Sequence, residues 1–339
     1  MGILDRIFRR RDAQVGPQSL PIEARAPEFK GVTGWINTGP LTLASLAGKV
    51  VLVDFWTYSC VNCVRTIPYL KAWNDAYKER GLVIIGIHTP EFDFERDRAN
   101  VEAAVSRSGI TYPVALDNDY AMWNAYRNHY WPAHYFIDAK GNVRYQHFGE
   151  GGYDHSEAVI NALLEEAGAK RDGRDVSRAV ASDIDFNKIG TPETYLGFER
   201  MEYLGSPESV RKDAPRSYSA VRDPAQNIFY FDGVWEIRDD YAVPRAAGAA
   251  IVYRINASKA HIVMDGSGLD ARVRVTLDGA PLTDADRGAD VAVDGGGSTV
   301  SVRDARMYDL VDFRGSYGSH LLRLEFETPG VKCYAFTFG

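Results

Sequence analysis

The sequence predicts an α/β domain with a mixed sheet, followed by a second domain made entirely of β-strands. Along the first half of the chain, long apolar runs alternate with helical segments, an order typical of α/β folds. Along the second half, short alternating segments are interrupted by Gly, Pro, Asp and Asn, which is typical of a β-sandwich. The length of 339 residues also suits two domains.

The first domain is predicted to alternate strand, helix, strand, helix and strand. Its central strands are the apolar runs Val50–Trp56 and Leu82–His88. Between them, apolar residues recur at helical spacing until Gly81 ends the helix. A polar helical stretch at residues 94–108 then precedes a short strand near residues 112–116.

A β-hairpin and a final helix complete the first domain. Residues 133–138 and 143–148 have the pattern of antiparallel strands, with Gly141 in the turn between them. Asp154 and Glu157 stand three positions apart, which predicts a capping box at the start of the final helix. The hairpin makes the predicted sheet mixed.

Composition sets the predicted domain boundaries. Residues 1–25 are expected to form a flexible basic N-terminal arm and residues 26–168 the α/β domain. Residues 169–183 are a charged linker with little apolar surface for a core, and residues 184–339 are the β-domain. Strands of the β-domain are expected at residues 227–231, 249–255, 260–264, 272–277, 299–302 and 321–326.

Charge and hydropathy narrow the classes of function. With 39 basic and 46 acidic side chains the chain carries a formal charge of −7, so no nucleic-acid partner is expected. No apolar run approaches the ~18 residues of a membrane span, so no transmembrane segment is expected. Residues 1–11 lack the apolar core and cleavage site of an export signal, which predicts a cytoplasmic location. A weak amphipathic membrane anchor is the alternative interpretation of this basic tail.

Cys60 and Cys63 form a C-x-x-C at the predicted junction of strand and helix. Unpaired backbone N–H groups and the helix dipole favour a thiolate there, so we expect the pKa of Cys60 to lie below the usual ~8.5. Cys60 is therefore the predicted nucleophile, and Cys63, one turn further along, the resolving thiol. The seven His residues show no second paired cluster, so no metal is expected. Cys333 is predicted to be a buried thiol of the last strand.

The residues around the cysteine pair resemble a known family. The run V-L-V-D-F-W-T-Y-S-C-V-N-C at residues 51–63 resembles the active-site strand and helix of thioredoxin-fold oxidoreductases. The stretches R-T-I-P-Y-L-K-A-W at 65–73, H-T-P-E-F at 88–92 and Y-W-P-A-H at 130–134 are similar to the TlpA/DipZ-like branch. The resemblance covers about residues 26–168 and implies a thioredoxin fold.

Two acids acquire expected roles from this resemblance. Asp54, six residues before Cys60, matches the buried acid that moves the proton of the second cysteine. Burial in an apolar strand is expected to raise the pKa of Asp54, which suits proton exchange near neutral pH. A hydrogen-bonded acid of the strand is the alternative interpretation. Glu91 is the expected second acid near the site, and a surface glutamate is the alternative there.

Three further residues are expected near the substrate. The resemblance implies that Pro132 is a cis-proline facing the cysteines, with backbone beside it that pairs with an extended substrate segment. Trp131 and Trp56 are expected to contact substrate or shield the sulfurs, with packing as the alternative for both. The residues between the cysteines, Val61 and Asn62, differ from the Gly-Pro of ordinary thioredoxins. The redox potential of the Cys60–Cys63 pair is therefore expected to differ from that of thioredoxins.

The resemblance implies a thiol-disulfide oxidoreductase. It would exchange the Cys60–Cys63 dithiol or disulfide with disulfides of proteins or small molecules through a mixed disulfide, with no cofactor besides this redox-active pair. The expected partners are disulfide-containing proteins and a separate electron donor, either thioredoxin-like or a membrane reductant of the CcdA type. The family resemblance implies a periplasmic or other extracytoplasmic location, which is the alternative to the cytoplasmic location predicted from the N-terminus.

The β-domain shows a thinner resemblance. Residues 184–339, with motifs such as T-P-E-T-Y-L-G at 191–197, resemble the carbohydrate-binding-module-like jelly roll that follows the thioredoxin domain in DipZ-type proteins. A glycan is therefore a candidate ligand. Tyr230, Trp235 and Tyr253 are the candidates for stacking on a sugar ring, and packing in the core is the alternative.

Two other functions are also consistent with the sequence. A thiol-dependent peroxidase of the peroxiredoxin type is one, because Thr57 stands three residues before Cys60 as in P-x-x-x-T-x-x-C. Val53 occupies the proline position of that motif, which weakens the match. The other is a non-enzymatic module that binds glycan or protein, in which Cys60 and Cys63 form a structural disulfide.

Overall fold

The structure, a computed structural model, describes residues 20–170, 173–180 and 188–339. The chain divides into two compact units, Met1–Ala181 and Ser182–Gly339. The basic tail predicted at residues 1–11 lies outside the described residues. Within the described ranges, no helix combines the length and the apolar character that crossing a bilayer requires.

The first unit is built on one mixed sheet. Its strands are β1 Ala24–Arg25, β2 Gly34–Ile36, β3 Val50–Trp56, β4 Leu82–His88, β5 Val114–Leu116, β6 Ala133–Ile137 and β7 Asn142–Phe148. They lie in the order β1-β7-β6-β3-β4-β5-β2. Strands β3, β4 and β5 are parallel, whereas β6 and β7 are antiparallel to their neighbours. The predicted α/β class with a mixed sheet of thioredoxin type is confirmed.

Helices cover both faces of this sheet. Among the described residues the α-helices are α1 Val61–Tyr77, α2 Arg98–Ser108, α3 Ala121–Ala125 and α4 Tyr153–Glu166. Val50, Leu52 and Trp56 of β3 pack against α1 and α4. The alternate residues of β3 pack on the opposite face beside α3. Asp54 belongs by this alternation to the α1 face, so its carboxylate lies under the helix that carries Cys63.

The segment predicted as one helix at residues 94–108 is divided. A 3₁₀ turn, Asp93–Arg96, precedes α2, and Asp97 caps α2 by accepting a hydrogen bond from the N–H of Ala99 at 2.8 Å. An N-cap residue has extended backbone, so the two helical pieces cannot be continuous. Glu95, in the 3₁₀ turn before this break, is fully buried.

The ordered chain begins before the predicted boundary at residue 26. Strand β1, which lies in the predicted flexible arm, pairs antiparallel with β7. Leu20 packs against the core on the α1 face, and its carbonyl oxygen accepts a hydrogen bond from the Arg144 guanidinium at 2.6 Å. Residues 20–25 are therefore part of the first unit rather than a free arm.

The capping box predicted from Asp154 and Glu157 does not form. Helix α4 begins at Tyr153, and Glu157 is buried with 3% exposure instead of reaching back to the helix start. Its two carboxylate oxygens accept hydrogen bonds from the backbone N–H groups of Val176 and Ser177, both at 2.8 Å. Tyr77 of α1 also donates its hydroxyl to Glu157.

These bonds attach part of the predicted linker to the first unit. Ser177 is buried, and its Oγ accepts a hydrogen bond from the indole N–H of Trp73 at 2.9 Å. Residues 173–180 therefore pack as a strap over α1 and α4, although their sequence is charged. Composition alone missed this because the strap adds only the partly buried Val176 and Val180 to the core and is also attached by hydrogen bonds to Glu157, which a charged sequence does not reveal.

We expect Glu157→Gln to lower the free energy of unfolding of the first unit by about 1–3 kcal/mol at pH 7. Each carboxylate oxygen of Glu157 accepts a hydrogen bond from a backbone N–H, and in Gln one of these oxygens is replaced by an NH₂ group that cannot accept it. Burial acts to raise the pKa of Glu157, but hydrogen bonds from Ser177, Tyr77 and the backbone together lower it. A lowered folded pKa stabilises above the ordinary value of 4.5 and loses this effect as pH falls.

Urea denaturation at pH 7 and pH 4 checks this prediction. Wild type should lose stability between these values, and E157Q should lose less of it. The matched control is Asp154→Asn, since Asp154 is exposed on the same helix and should change stability by less than about 0.5 kcal/mol. Equal stability of E157Q and D154N would contradict the proposed strap.

The second unit is entirely β-structure. Its strands are β8 Thr194–Tyr195, β9 Arg216–Tyr218, β10 Phe229–Ile237, β11 Ala242–Pro244, β12 Ala249–Ala257, β13 Lys259–Asp265, β14 Ala271–Leu277, β15 Ala280–Pro281, β16 Val291–Asp294, β17 Gly297–Val302, β18 Arg306–Asp312, β19 Gly318–Phe326 and β20 Lys332–Phe338. The main path runs β16-β17-β14-β19-β12-β10-β11-β20-β13-β18. The predicted all-β sandwich is confirmed, in a nearly barrel-like form.

Strand β10 joins the two layers of this sandwich. Its first half, to Asp232, pairs with β12, and its second half, from Gly233, pairs with β9 and β11. Gly233 has φ of 91°, a conformation that favours glycine. A residue without Cβ therefore stands where the strand passes from one layer to the other.

The aromatic candidates for sugar stacking lie in the core of this unit. Trp235 and Tyr253 are fully buried, and Tyr230 is 5% exposed. The interpretation of these three rings as a sugar-stacking surface is wrong, because a buried ring offers no free face to a ligand. Cys333 is fully buried in β20, as predicted.

Candidate active site

The cysteine pair lies where β3 passes into α1. Cys60 is the N-cap residue of α1, and its Sγ accepts a hydrogen bond from the N–H of Cys63 at 3.3 Å. Both cysteines are free thiols. First-turn N–H groups have no intrahelical acceptors and carry the positive end of the helix dipole, so a sulfur at this position is stabilised as an anion.

The two thiols differ in environment. Cys63 is 1% exposed and Cys60 is 9% exposed, so a substrate reaches Cys60 first. Burial raises the pKa of the Cys63 thiol, and the hydrogen bond to Cys60 and the charge of Cys60 raise it further. Cys63 therefore stays protonated near neutral pH and needs a base before it can attack.

The peptide bond between Trp131 and Pro132 is cis. The Sγ of Cys60 lies 3.9 Å from the carbonyl oxygen of Trp131, so this peptide faces the cysteine pair. The indole N–H of Trp131 donates to the carbonyl of Thr89 at 3.2 Å, and its ring packs 4.2 Å from that of Trp123. Trp131 is half-buried, so its ring both packs here and borders the sulfurs.

Trp56 does not reach the surface. Its side chain is 1% exposed and its ring packs edge-on against His88 at 5.2 Å. The expected substrate contact of Trp56 is therefore wrong, because β3 is buried on both faces. His88 is also fully buried, and burial lowers its pKa to about 3, so its imidazole ring carries no charge at pH 7.

Asp54 is buried directly behind the site. It is 1% exposed, and it stands opposite His134 in the pairing of β3 with β6. Its Oδ1 is 3.2 Å from Nε2 of His134, although neither atom has an aligned hydrogen-bond partner among the described residues. The charge of Asp54 adds to burial and to Cys60 in raising the pKa of Cys63, and Asp54 lies on the face of the sheet that α1, the helix of Cys63, covers.

The buried acid on the other side of the loop is Glu95, not Glu91. Oε1 of Glu95 accepts hydrogen bonds from the Oγ and the backbone N–H of Ser59, at 2.6 and 3.3 Å. Oε2 accepts from the backbone N–H groups of Glu91 and Phe92, at 2.6 and 3.0 Å. Glu91 itself is partly exposed. The carboxylate of Glu95 thus connects the loop before Cys60 to the loop after β4.

We expect Glu95→Gln to raise the alkylation rate of Cys60 at pH 7 by up to about tenfold, because a negative charge near the thiolate is removed. Burial and the charge of Glu91 raise the pKa of Glu95 to about 6, against the hydrogen bonds from Ser59, Thr57 and Phe92, which lower it. The carboxylate therefore forms near pH 6, and the wild-type rate profile should bend there. A Cys63→Ser background makes iodoacetamide report on Cys60 alone.

Glu91→Gln is the matched control for this measurement. It should keep the bend but move it to lower pH, since the charge of Glu91 contributes to the raised pKa of Glu95. A slower reaction of E95Q at pH 7 would contradict the prediction and show that the hydrogen bonds to Ser59 matter more than the charge.

Metal ligation finds no support in the described part of the chain, where no three His, Cys, Asp or Glu side chains lie together in a way that could hold an ion. The buried carboxylate and histidine side chains near the cysteines are divided between two sides of the site. Glu95 contacts the loop in front of Cys60, and Asp54 with His134 lies behind Cys63.

Two protein-family profiles match the chain. One, described as "Thioredoxin like C-terminal domain", covers residues 191–339, and the other, described as "AhpC/TSA family", covers residues 22–146. Protein DipZ of Mycobacterium bovis is 42% identical over 79% of this chain. The matched region is 38% of DipZ, so the chain spans well under half the length of that relative.

Two further relatives carry the name thiol-disulfide oxidoreductase. Thiol-disulfide oxidoreductase ResA of Bacillus thuringiensis is 28% identical over 43% of this chain and 80% of its own length. Thiol-disulfide oxidoreductase YkuV of Bacillus subtilis is 31% identical over 41% of this chain and 94% of its own length. Because nearly the whole of YkuV is matched at 31% identity, the chain belongs to the family of thioredoxin-like thiol-disulfide oxidoreductases.

Proposed function

We propose that this protein exchanges disulfides with protein substrates through Cys60 and Cys63. The observation that carries the proposal is the position of the Cys60 sulfur. It accepts a hydrogen bond from the N-terminus of α1 and lies 3.9 Å from the carbonyl of the cis peptide. A stabilised sulfur beside an accessible backbone edge suits attack on a disulfide held in an extended segment.

In the reducing direction the Cys60 thiolate attacks a substrate sulfur and forms a mixed disulfide, releasing the first substrate thiolate. Cys63 then loses its proton and attacks the Sγ of Cys60. The bond between Cys60 and substrate breaks, the second substrate thiolate leaves, and the Cys60–Cys63 disulfide remains. Two electrons pass from the dithiol to the substrate, so this exchange requires no further cofactor.

The remaining residues have supporting roles in this proposal. Asp54 accepts the proton of Cys63, since it is the carboxylate buried behind that thiol. The backbone beside Pro132 pairs with the substrate segment, and the half-buried Trp131 borders it. Glu95 positions the loop that carries Ser59 and Cys60.

The proposal requires two kinds of partner. One is a protein with an accessible disulfide, and the other is an electron donor that reduces the Cys60–Cys63 disulfide again. The donor is either thioredoxin-like or a membrane reductant of the CcdA type, and it sets the net direction of exchange.

Reduction of insulin disulfides with dithiothreitol as electron donor tests the proposal. Wild type should accelerate the reaction, and Cys60→Ser should return it to the uncatalysed rate. Wild-type protein that does no better than C60S would reject disulfide exchange with proteins.

A thiol-dependent peroxidase is the second candidate, favoured by Thr57 three residues before Cys60 and by the match to the AhpC/TSA profile. Thr57 is fully buried, and its Oγ1 lies 3.4 Å from Nε2 of His88. A second thiol one turn away suits dithiol exchange better than capture of peroxide. Consumption of hydrogen peroxide at a rate matching insulin reduction would favour the peroxidase.

A further inference from the structure

Three titratable residues form a row across adjacent strands of the first unit. Asp54 in β3 is directly opposite His134 in β6, and His134 is directly opposite His147 in β7. Directly opposed residues of neighbouring strands project to the same face. That face packs against α1 and α4, because Leu52 and Phe136, two positions from Asp54 and His134, belong to that core. We call these three residues the Asp54–His147 row.

The contacts within the row are close. Oδ1 of Asp54 is 3.2 Å from Nε2 of His134, and the rings of His134 and His147 are nearly parallel, 9° apart, with centroids 6.0 Å apart. His134 is fully buried, yet neither of its ring nitrogens has a hydrogen-bond partner among the described residues, and the same holds for Nε2 of His147. Buried nitrogens without partners cost free energy, which packing alone does not explain.

Burial decreases along the row. Asp54 and His134 are buried, whereas His147 is half-buried and its ring lies close to Gly152, in the loop before α4. The row therefore leads from the carboxylate behind Cys63 towards the edge of the sheet. Asp54 also faces Tyr112, whose hydroxyl is buried, and His147 faces His155 of α4.

His147, at the outer end of the row, binds a proton only weakly. Burial and the charges of His134 and His155 together lower the pKa of His147 to about 4. His147 therefore does not retain a proton near neutral pH. This suits transfer rather than storage of a proton.

We propose that His134 takes over the proton that Asp54 receives from Cys63, and that His147 passes it towards solvent. This inference rests on the proposed function. The S–H bond of Cys63 breaks and its proton moves to Asp54 and then to Nε2 of His134. The Cys63 sulfur bonds to Cys60, and the electron pair of the broken mixed disulfide leaves on the substrate sulfur. Asp54 is thereby returned to the carboxylate form, ready to act as a base again.

Rapid-mixing experiments at pH 5.5–8 separate capture from resolution. Reduced protein is mixed with a disulfide peptide, quenched in acid and analysed for mixed disulfide. We expect His134→Gln to slow resolution at least about tenfold and to change its pH profile, while capture by Cys60 is unchanged. His129→Gln is the control, because His129 is an exposed histidine outside the row. It should behave as wild type.

The order of transfer is tested by a double mutant. If His134 acts through Asp54, then resolution in D54N/H134Q should be no slower than in D54N alone. Multiplied losses in the double mutant, or wild-type resolution in H134Q, would overturn the proposal. His147→Gln, at a half-buried position, provides the test if H134Q does not fold, and wild-type resolution in H147Q would then overturn it. Failure of capture in wild type would instead reject the proposed function.

Discussion

Cys60→Ser should lower disulfide exchange by at least about a thousandfold, whereas Cys63→Ser should still capture substrate and then stop. The difference follows from the positions of the two thiols. Cys60 caps α1 and is the more exposed sulfur, so its loss removes the attacking group. Cys63 is buried with a raised pKa and acts only after capture, so its loss leaves a mixed disulfide on Cys60 that nothing releases.

Trapping with each variant checks this prediction. Non-reducing electrophoresis and mass spectrometry should find a disulfide peptide attached to Cys60 in C63S and no adduct in C60S. Cys333→Ala is the matched control, because Cys333 is a buried thiol of the second unit. It should turn over as wild type. Adducts of equal yield on C60S and C63S would contradict the assignment of the two sulfurs.

The strands of the first unit show where sequence patterns suffice. Strands β3 and β4 have the bounds predicted from the apolar runs Val50–Trp56 and Leu82–His88, since strands buried on both faces consist almost entirely of apolar residues, with Asp54 the one acidic residue in either run. The short strands β1 and β2 and the short helix α3 were not predicted. Elements of two to five residues contain too few positions to show a period.

The predicted final helix shows where a local pattern fails. Asp154 and Glu157 fit a capping box in sequence, but Glu157 instead accepts hydrogen bonds from residues of the strap, 19 and 20 positions away. Two backbone donors, that of the half-buried Val176 and that of the buried Ser177, outweigh one exposed cap. The sequence of the helix itself does not indicate that these hydrogen bonds from a distant segment will form.

The active-site residues also differ in whether the sequence could predict them. The cysteines, Asp54 and Pro132 belong to short continuous motifs, so the resemblance could locate them. Glu95 contacts Ser59 across 36 positions, and it lies in the 3₁₀ turn before α2. The pairing of Asp54 with His134 depends on the register of β3 and β6, which no single motif contains. The signal that was available for Glu95 was its place between Phe94 and the capping residue Asp97.

Asp54→Asn should slow the resolution of the mixed disulfide by on the order of 10² to 10⁴, with capture by Cys60 unchanged. Resolution requires that Cys63 lose its proton, and burial holds the pKa of this thiol well above its ordinary value of 9.0. An amide has nearly the shape of the carboxylate but accepts no proton at neutral pH, so D54N removes the base and little else. Rapid mixing of the reduced protein with a disulfide peptide, followed by an acid quench, measures both capture and resolution.

The direction of the change distinguishes two roles of Asp54. Its negative charge contributes to the raised pKa of Cys63, so D54N should lower that pKa. If Asp54 acted only through its charge, D54N would therefore resolve the mixed disulfide faster than wild type. If Asp54 is the base, resolution slows although Cys63 has become more acidic. Asp75→Asn, an exposed substitution of the same type on α1, should leave both steps at the wild-type rate.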